Sequence, residues 1–265
     1  MAKKDILIVV KTYPEISRKY TETVCTAGIL AESRSLVRLY PIRFRYLKKH
    51  QQFKKYQWIR AVIHKAKADA RPESYTIVPD SIELGDLIKA GKDWRERCSW
   101  VLQKTNVYPS IEALRKARAE NKTSLGLVKP KVFQQVSIQP RNQNEVAEAA
   151  AKKESIISQG DLFEAKKNLD IIPIRIMIKF LCDDPDCSGH NMSILDWELG
   201  QLYRRLMNDS NWKSKVETKI RNDIFGANRD TYIILGNMVS RPNVFSALGF
   251  FYPPRSTARQ RTLFD

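Results

Sequence analysis

Five short segments rich in Val, Ile and Tyr occupy the first 79 residues of this 265-residue chain, and no long helical pattern separates them. Polar or proline-containing breaks bound each segment, as is typical of short β-strands. The predicted strands are Asp5–Lys11, Glu22–Leu30, Ser35–Tyr40, Gln57–Lys65 and Tyr75–Val78. Short strands without intervening long helices favour a small barrel or a strongly bent sheet.

Helical patterns begin after this strand-rich region. We predict helices within residues 80–122, the second of them capped by Ser110. The nearly continuous apolar run Ile171–Phe180 predicts a strand. The spacing of apolar residues in Met192–Met207 predicts a helix, with Ser193 as its N-cap.

These patterns predict an α+β protein with a small N-terminal β-barrel-like module, similar to OB or PUA folds, and a C-terminal α+β part. The expected divisions are a basic barrel-like module (1–80), a helical and extended connector (81–140), a flexible or helical insertion (141–170), an α+β domain with a Cys/His loop (171–256) and a tail (257–265).

Positive charge is concentrated near the N-terminus. The first 70 residues hold 16 Lys and Arg but 5 Asp and Glu, and the whole chain has a formal net charge of +17. Such clustering favours a nucleic acid as partner, since Lys and Arg neutralise phosphates and release counterions. The predicted binding residues are Arg38, Arg43, Arg45, Lys48, Lys49, Lys54, Lys55 and Tyr56, with a smaller set of Lys11, Arg18 and Lys19.

Two cysteines and a histidine lie close together in the stretch Cys182–His190. Thiolate and imidazole are suitable zinc ligands, so Cys182, Cys187 and His190 predict three ligands of a Zn²⁺ site. The candidates for a fourth ligand are Asp183, Asp184, Asp186, Cys25, Cys98, His64 and water. The alternatives are a hard-cation site built from the three aspartates, or an acidic loop with small buried cysteines.

The sequence contains no phosphate-binding glycine loop, G-x-S-x-G elbow or H-E-x-x-H helix. Asp196 and Glu198 are the catalytic candidates of an alternative interpretation, a metal-dependent nuclease. On a helix, residues two apart point in nearly opposite directions, which favours two surface charges instead. A further alternative is a protein–protein adaptor that recognises an acidic partner.

Two short segments share the pattern Q-x-x-L-F, at Gln159–Phe163 and at the C-terminal Gln260, Leu263 and Phe264. Both resemble the peptide with which bacterial polymerases and repair proteins dock on the DNA sliding clamp. In that interaction, Leu and Phe would fill an apolar groove and Gln would fix the orientation. The resemblance implies a clamp as partner, and it favours DNA over RNA.

The segments Val9–Pro14, Thr21–Ile29 and Val37–Ile42, with Cys182–Glu198 and Phe250–Pro254, resemble an uncharacterised bacterial family found in mobile or defence gene islands. This resemblance implies no known activity. We therefore expect a nucleic-acid-binding accessory protein in DNA processing or anti-phage defence. Because no segment approaches the roughly 20 apolar residues of a membrane span, we expect no membrane partner. The four cysteines are unevenly spaced, unlike the disulfide framework of a secreted protein, so we expect a cytoplasmic location.

Overall fold

A computed structural model describes residues 2–17, 20–67, 69–91, 94–158 and 169–255. The N-terminal part is one eight-stranded sheet of mixed direction, in the order β6-β7-β4-β3-β1-β5-β8, with β2 paired to β3. Its strands are β1 (Lys4–Lys11), β2 (Glu15–Ser17), β3 (Thr21–Leu30), β4 (Leu36–Ile42), β5 (Gln57–Ala61), β6 (Ile63–Lys65), β7 (Ser74–Ile77) and β8 (Glu83–Leu87).

The described residues of the C-terminal part form two smaller sheets. The four-stranded sheet has the order β15-β14-β10-β9, and the three-stranded sheet has the order β11-β12-β13. Their strands are β9 (Val107–Tyr108), β10 (Leu125–Val128), β11 (Val132–Pro140), β12 (Ile174–Leu181), β13 (His190–Ser193), β14 (Tyr232–Met238) and β15 (Arg241–Phe251). The helices are α1 (Arg95–Val101), α2 (Ile111–Asn121), α3 (Gln143–Ser158), α4 (Trp197–Leu206) and α5 (Trp212–Lys219), which continues into a π-helical turn (Ile220–Ile224).

The apolar run of β1 is buried on both faces of the large sheet. Ile6 and Ile8 pack into a core within the N-terminal part, whereas Leu7 and Val9 pack into a second core. A strand covered on both sides has a continuous apolar sequence, as β1 has. The second core, here called the shared core, also contains Leu125, Leu127, Ile234, Leu248 and Phe251 from the C-terminal four-stranded sheet.

The α+β class is confirmed. The N-terminal sheet is compatible with a barrel-like module, and its OB-like or PUA-like identity stays a prediction. All five predicted strand regions contain strands, and Ser110 caps α2 by accepting a hydrogen bond from the Ala113 N–H at 3.0 Å. Within the described ranges, no helix is long and apolar enough to cross a membrane.

Both helices predicted within residues 80–122 are present as α1 and α2, although strand β8 precedes them in this region. One capping prediction is wrong. Helix α4 begins at Trp197 with Asp196 as its N-cap, not at Met192 with Ser193 as cap. Ser193 instead ends β13, where it pairs with Met177 of β12. Ser and Asp are both good N-caps, and strand pairing decides between them here.

Candidate metal centre

The hairpin of β12 and β13 brings together the three metal ligands predicted from the sequence. Cys182 directly follows β12, and His190 begins β13 opposite Phe180. Gly189 has φ +94°, a conformation that suits glycine and lets the loop return to β13. Cys187 lies on this loop, where its Sγ accepts a hydrogen bond from the Cys182 N–H at 3.2 Å.

Glu112 brings a fourth potential ligand to this cluster from a distant part of the chain. It lies in the first turn of α2, two residues after the Ser110 cap. Its Oε1 is 3.3 Å from Nε2 of His190, which in turn is 3.4 Å from Sγ of Cys187. The four ligand atoms of Glu112, Cys182, Cys187 and His190 all lie within 4.8 Å of one another. This cluster could hold a metal ion.

The electrostatics of the cluster fit a cation. Burial raises the pKa of the Cys182 thiol to about 12, and the neighbouring Cys187 and Glu112 contribute to the rise. Burial also lowers the pKa of His190. Glu112 Oε2 is buried and has no hydrogen-bond partner. A divalent ion would stabilise both thiolates and the carboxylate, and so would offset the free-energy cost of burying these charged groups.

None of the residues proposed as fourth ligand from the sequence belongs to this cluster. Cys98 is buried in the shared core, and Cys25 lies beside the Arg38 guanidinium. His64 is part of β6. Glu112 had no distinguishing signal, because an acidic residue in the first turn of a helix is common for its interaction with the helix dipole.

Several residues expected to bind nucleic acid lie inside the protein. Arg38 is 4% exposed, and its guanidinium donates to the backbone oxygen of Ser124 at 3.0 Å. Tyr56 is 5% exposed. The Lys55 ammonium is buried and donates to the backbone oxygen of Phe250 at 2.9 Å.

Three more of the expected cations are held by the N-terminal part itself. Arg45 forms a bidentate ion pair with the buried Glu22. The Arg43 guanidinium stacks 4.4 Å from the centre of the Tyr46 ring. The ammonium of Lys11 lies 3.9 Å from the centre of the Phe44 ring, and burial lowers the pKa of Lys11 to about 8.

Lys48, Lys49 and Lys54 are exposed. The predicted binding residues between Arg38 and Lys55 therefore do not form a continuous exposed surface, because internal backbone acceptors and the carboxylates of Glu22 and Glu198 bind several of them. Arg18 and Lys19 lie outside the described residues. So do both Q-x-x-L-F segments, including Gln260, Leu263 and Phe264.

Asp196 and Glu198 lie at the junction of the N-terminal sheet and α4. Oδ1 of Asp196 accepts hydrogen bonds from the N–H groups of Glu198 at 2.8 Å and Leu199 at 3.1 Å. The Glu198 carboxylate is 3.6 Å from the Lys55 ammonium. The expectation of two helix-surface charges is wrong for Asp196, which is 6% exposed. Neither residue belongs to the metal cluster.

We expect Asp196 to make the stability of the protein depend on pH. Burial raises its pKa to about 6, whereas an unfolded Asp has a pKa of about 4. Between these values only the unfolded chain loses the proton, so this group lowers the free energy of unfolding by up to about 3 kcal/mol as pH rises. We expect the free energy of unfolding of D196N, whose amide oxygen can still accept the capping hydrogen bonds, not to fall in this way as pH rises. Urea denaturation from pH 4 to 7 measures the difference, and parallel profiles of the two proteins would contradict the prediction.

The fold and site define a protein in which a large sheet is joined to a C-terminal part with a Glu/Cys/His cluster. The chain belongs to the family described as Domain of unknown function (DUF8757), whose model matches residues 107–265. Residues 2–103 match a second family model, described as Domain of unknown function (DUF8758). No curated protein matches the chain. Membership of an uncharacterised family is thus confirmed, while a bacterial origin and a place in defence islands stay predictions.

Proposed function

We propose that this protein binds one zinc ion through Glu112, Cys182, Cys187 and His190. The observation that carries the proposal is the convergence of these four ligand atoms within 4.8 Å. Zinc prefers four tetrahedral ligands, and thiolate, imidazole and carboxylate are the side-chain donors it uses. Because protein side chains would fill all four positions, the role we propose for the ion is structural.

Bound zinc would connect two elements that are separate in sequence. Cys182, Cys187 and His190 belong to the hairpin of β12 and β13, and Glu112 belongs to α2. A shared ion would fix the start of α2 against the three-stranded sheet.

Metal analysis of the purified protein tests this proposal. We expect about one zinc per chain in the wild type and in C25S, a matched control whose cysteine lies outside the cluster. We expect C187S and E112A to lose most of the zinc, because each removes one ligand. Cobalt(II) reconstitution gives a second readout, since a thiolate ligand produces a charge-transfer absorption that C187S would weaken. Wild-type protein that takes up no zinc when supplied with it would refute the site.

We further propose that the protein binds nucleic acid. The support is the formal net charge of +17, from 46 Lys and Arg against 29 Asp and Glu. Such an excess attracts phosphates over long distances at low salt. Four interpretations stay predictions: a role in DNA processing or anti-phage defence, docking on a sliding clamp, the nuclease alternative and the adaptor alternative.

Titration of labelled single- and double-stranded DNA and RNA at several salt concentrations tests the binding proposal. We expect micromolar or tighter binding at low salt, with the affinity falling steeply as salt rises. An adaptor for an acidic protein would show little affinity for any of these oligonucleotides.

A further inference from the structure

The outward face of the three-stranded sheet carries amides and cations but no carboxylate. Its register places Gln139 opposite Arg175, and Gln135 opposite Lys179. Lys179 also lies opposite Asn191 of β13. The alternate residues of the same strands, such as Ile176 and Ile178, are buried in the core. The outward residues of the paired strands are Val132, Gln135, Ser137, Gln139, Arg175, Met177, Lys179, Leu181, Asn191 and Ser193.

This face continues into a cleft of about 360 Å³. Arg175 and Ser193 belong to both the face and the cleft, which is also lined by Arg141 and Arg241. Met238 and Val244, which also line the cleft, are 49% and 56% exposed and offer apolar surface.

The positive charge of this surface is incompletely neutralised. Arg141 and Arg175 share a single carboxylate, that of Glu145, at 3.7 Å and 2.5 Å. In the part of the chain that the structure describes, Arg241 and Lys179 form no ion pair. Among the described residues, two carboxylates line the cleft, Glu15 of β2 and the buried Asp196, against three arginines.

We infer that a single nucleic-acid strand binds across this face and into the cleft. This inference rests on the proposed nucleic-acid function. Arg175 and Lys179, about 13 Å apart along β12 by strand geometry, would contact successive parts of the phosphate backbone. The amides of Gln135, Gln139 and Asn191 both donate and accept hydrogen bonds, as contacts to sugars and base edges require. A cleft of this volume admits a nucleotide but not a duplex, which favours a single strand.

The inferred surface differs from the N-terminal binding residues predicted from the sequence, so two double variants can distinguish the two surfaces. K179E/R241E reverses two unpaired charges of the sheet face and cleft. K49E/K54E makes the same charge change at two exposed lysines of the N-terminal part. Any effect of net charge alone is therefore equal in the two variants.

The experiment measures binding of labelled oligo-dT, oligo-U and a DNA duplex between 50 and 300 mM salt, roughly the range over which counterion effects are large. We expect K179E/R241E to weaken single-strand binding by at least about tenfold and to make its salt dependence shallower by about one unit of slope. K49E/K54E should change the affinity by no more than about threefold, because charges outside the contact surface act only through long-range attraction. Duplex should bind more weakly than single strands.

Equal losses in the two variants, or tighter binding of duplex, would overturn the inferred surface while leaving nucleic-acid binding intact. Wild-type protein that binds none of the three probes at low salt would instead refute the proposed binding function itself. Far-UV circular dichroism and zinc content establish that each variant is folded. Should K179E/R241E fail to fold, K179A/R241A gives the same comparison with a smaller expected loss.

Discussion

We expect a strong zinc chelator to lower the melting temperature of the zinc-loaded protein by more than about 10 °C. Structural zinc sites contribute binding energies of about 10 kcal/mol or more, and in a chain of this size each kcal/mol shifts the melting temperature by about 2–4 °C. Without the ion, Glu112 Oε2 is buried without a partner, and the thiol of Cys182 keeps its raised pKa. The hairpin and α2 would then no longer be held together by a shared metal ion.

Thermal scans followed by circular dichroism, before and after chelation, measure this effect. Returning zinc should restore the original melting temperature. The C187S/E112Q double variant, which lacks two ligands, should melt at a lower temperature and respond little to chelator or zinc. An unchanged melting temperature in protein from which all zinc has been removed would contradict a structural role for the ion.

We expect E73A to lower the free energy of unfolding by about 3 kcal/mol. Oε1 of Glu73 accepts hydrogen bonds from the Ser124 N–H at 2.8 Å and the Leu125 N–H at 3.4 Å, and its Oε2 accepts one from the Ser124 hydroxyl at 3.0 Å. Ser124 and Leu125 are buried, so their donors would be left without an acceptor. Each buried unsatisfied group costs about 1–3 kcal/mol.

The matched control is E83A, which removes an exposed carboxylate that pairs with Lys3. Surface pairs contribute about 0–1 kcal/mol, so this variant should remain close to wild type in urea denaturation. E73Q should fall between them, because the amide oxygen can still accept from a backbone N–H. A loss in E73A no larger than that in E83A would show that Glu73 does not join the two parts of the chain.

Local signals in the sequence account for what could be predicted of the fold. The run Ile6–Val10 is apolar because both of its faces are covered, and Ser110 caps α2 through its own neighbouring backbone. The choice between Ser193 and Asp196 as cap depended on the pairing of β13 with β12, which the local sequence does not encode. Such long-range pairing is decided by packing rather than by propensity.

In the candidate sites, too, residues close in sequence could be predicted and residues that meet only in the folded chain could not. Cys182, Cys187 and His190 are neighbours in sequence and could be recognised together, whereas Glu112 joins them only in the folded chain. Charge density likewise did not predict exposure. Arg38 and Lys55 donate to the backbone oxygens of Ser124 and Phe250, acceptors that any residue type provides.

The shared core makes the segments matched by the two family descriptions mutually dependent. Produced separately, residues 107–265 would turn the side chains of Leu127, Ile234 and Phe251 towards water, and residues 2–103 would do the same with Leu7 and Val9. Uncovered apolar surface of this kind promotes aggregation. A gene that encoded one segment without the other would therefore need a second polypeptide to replace the missing half.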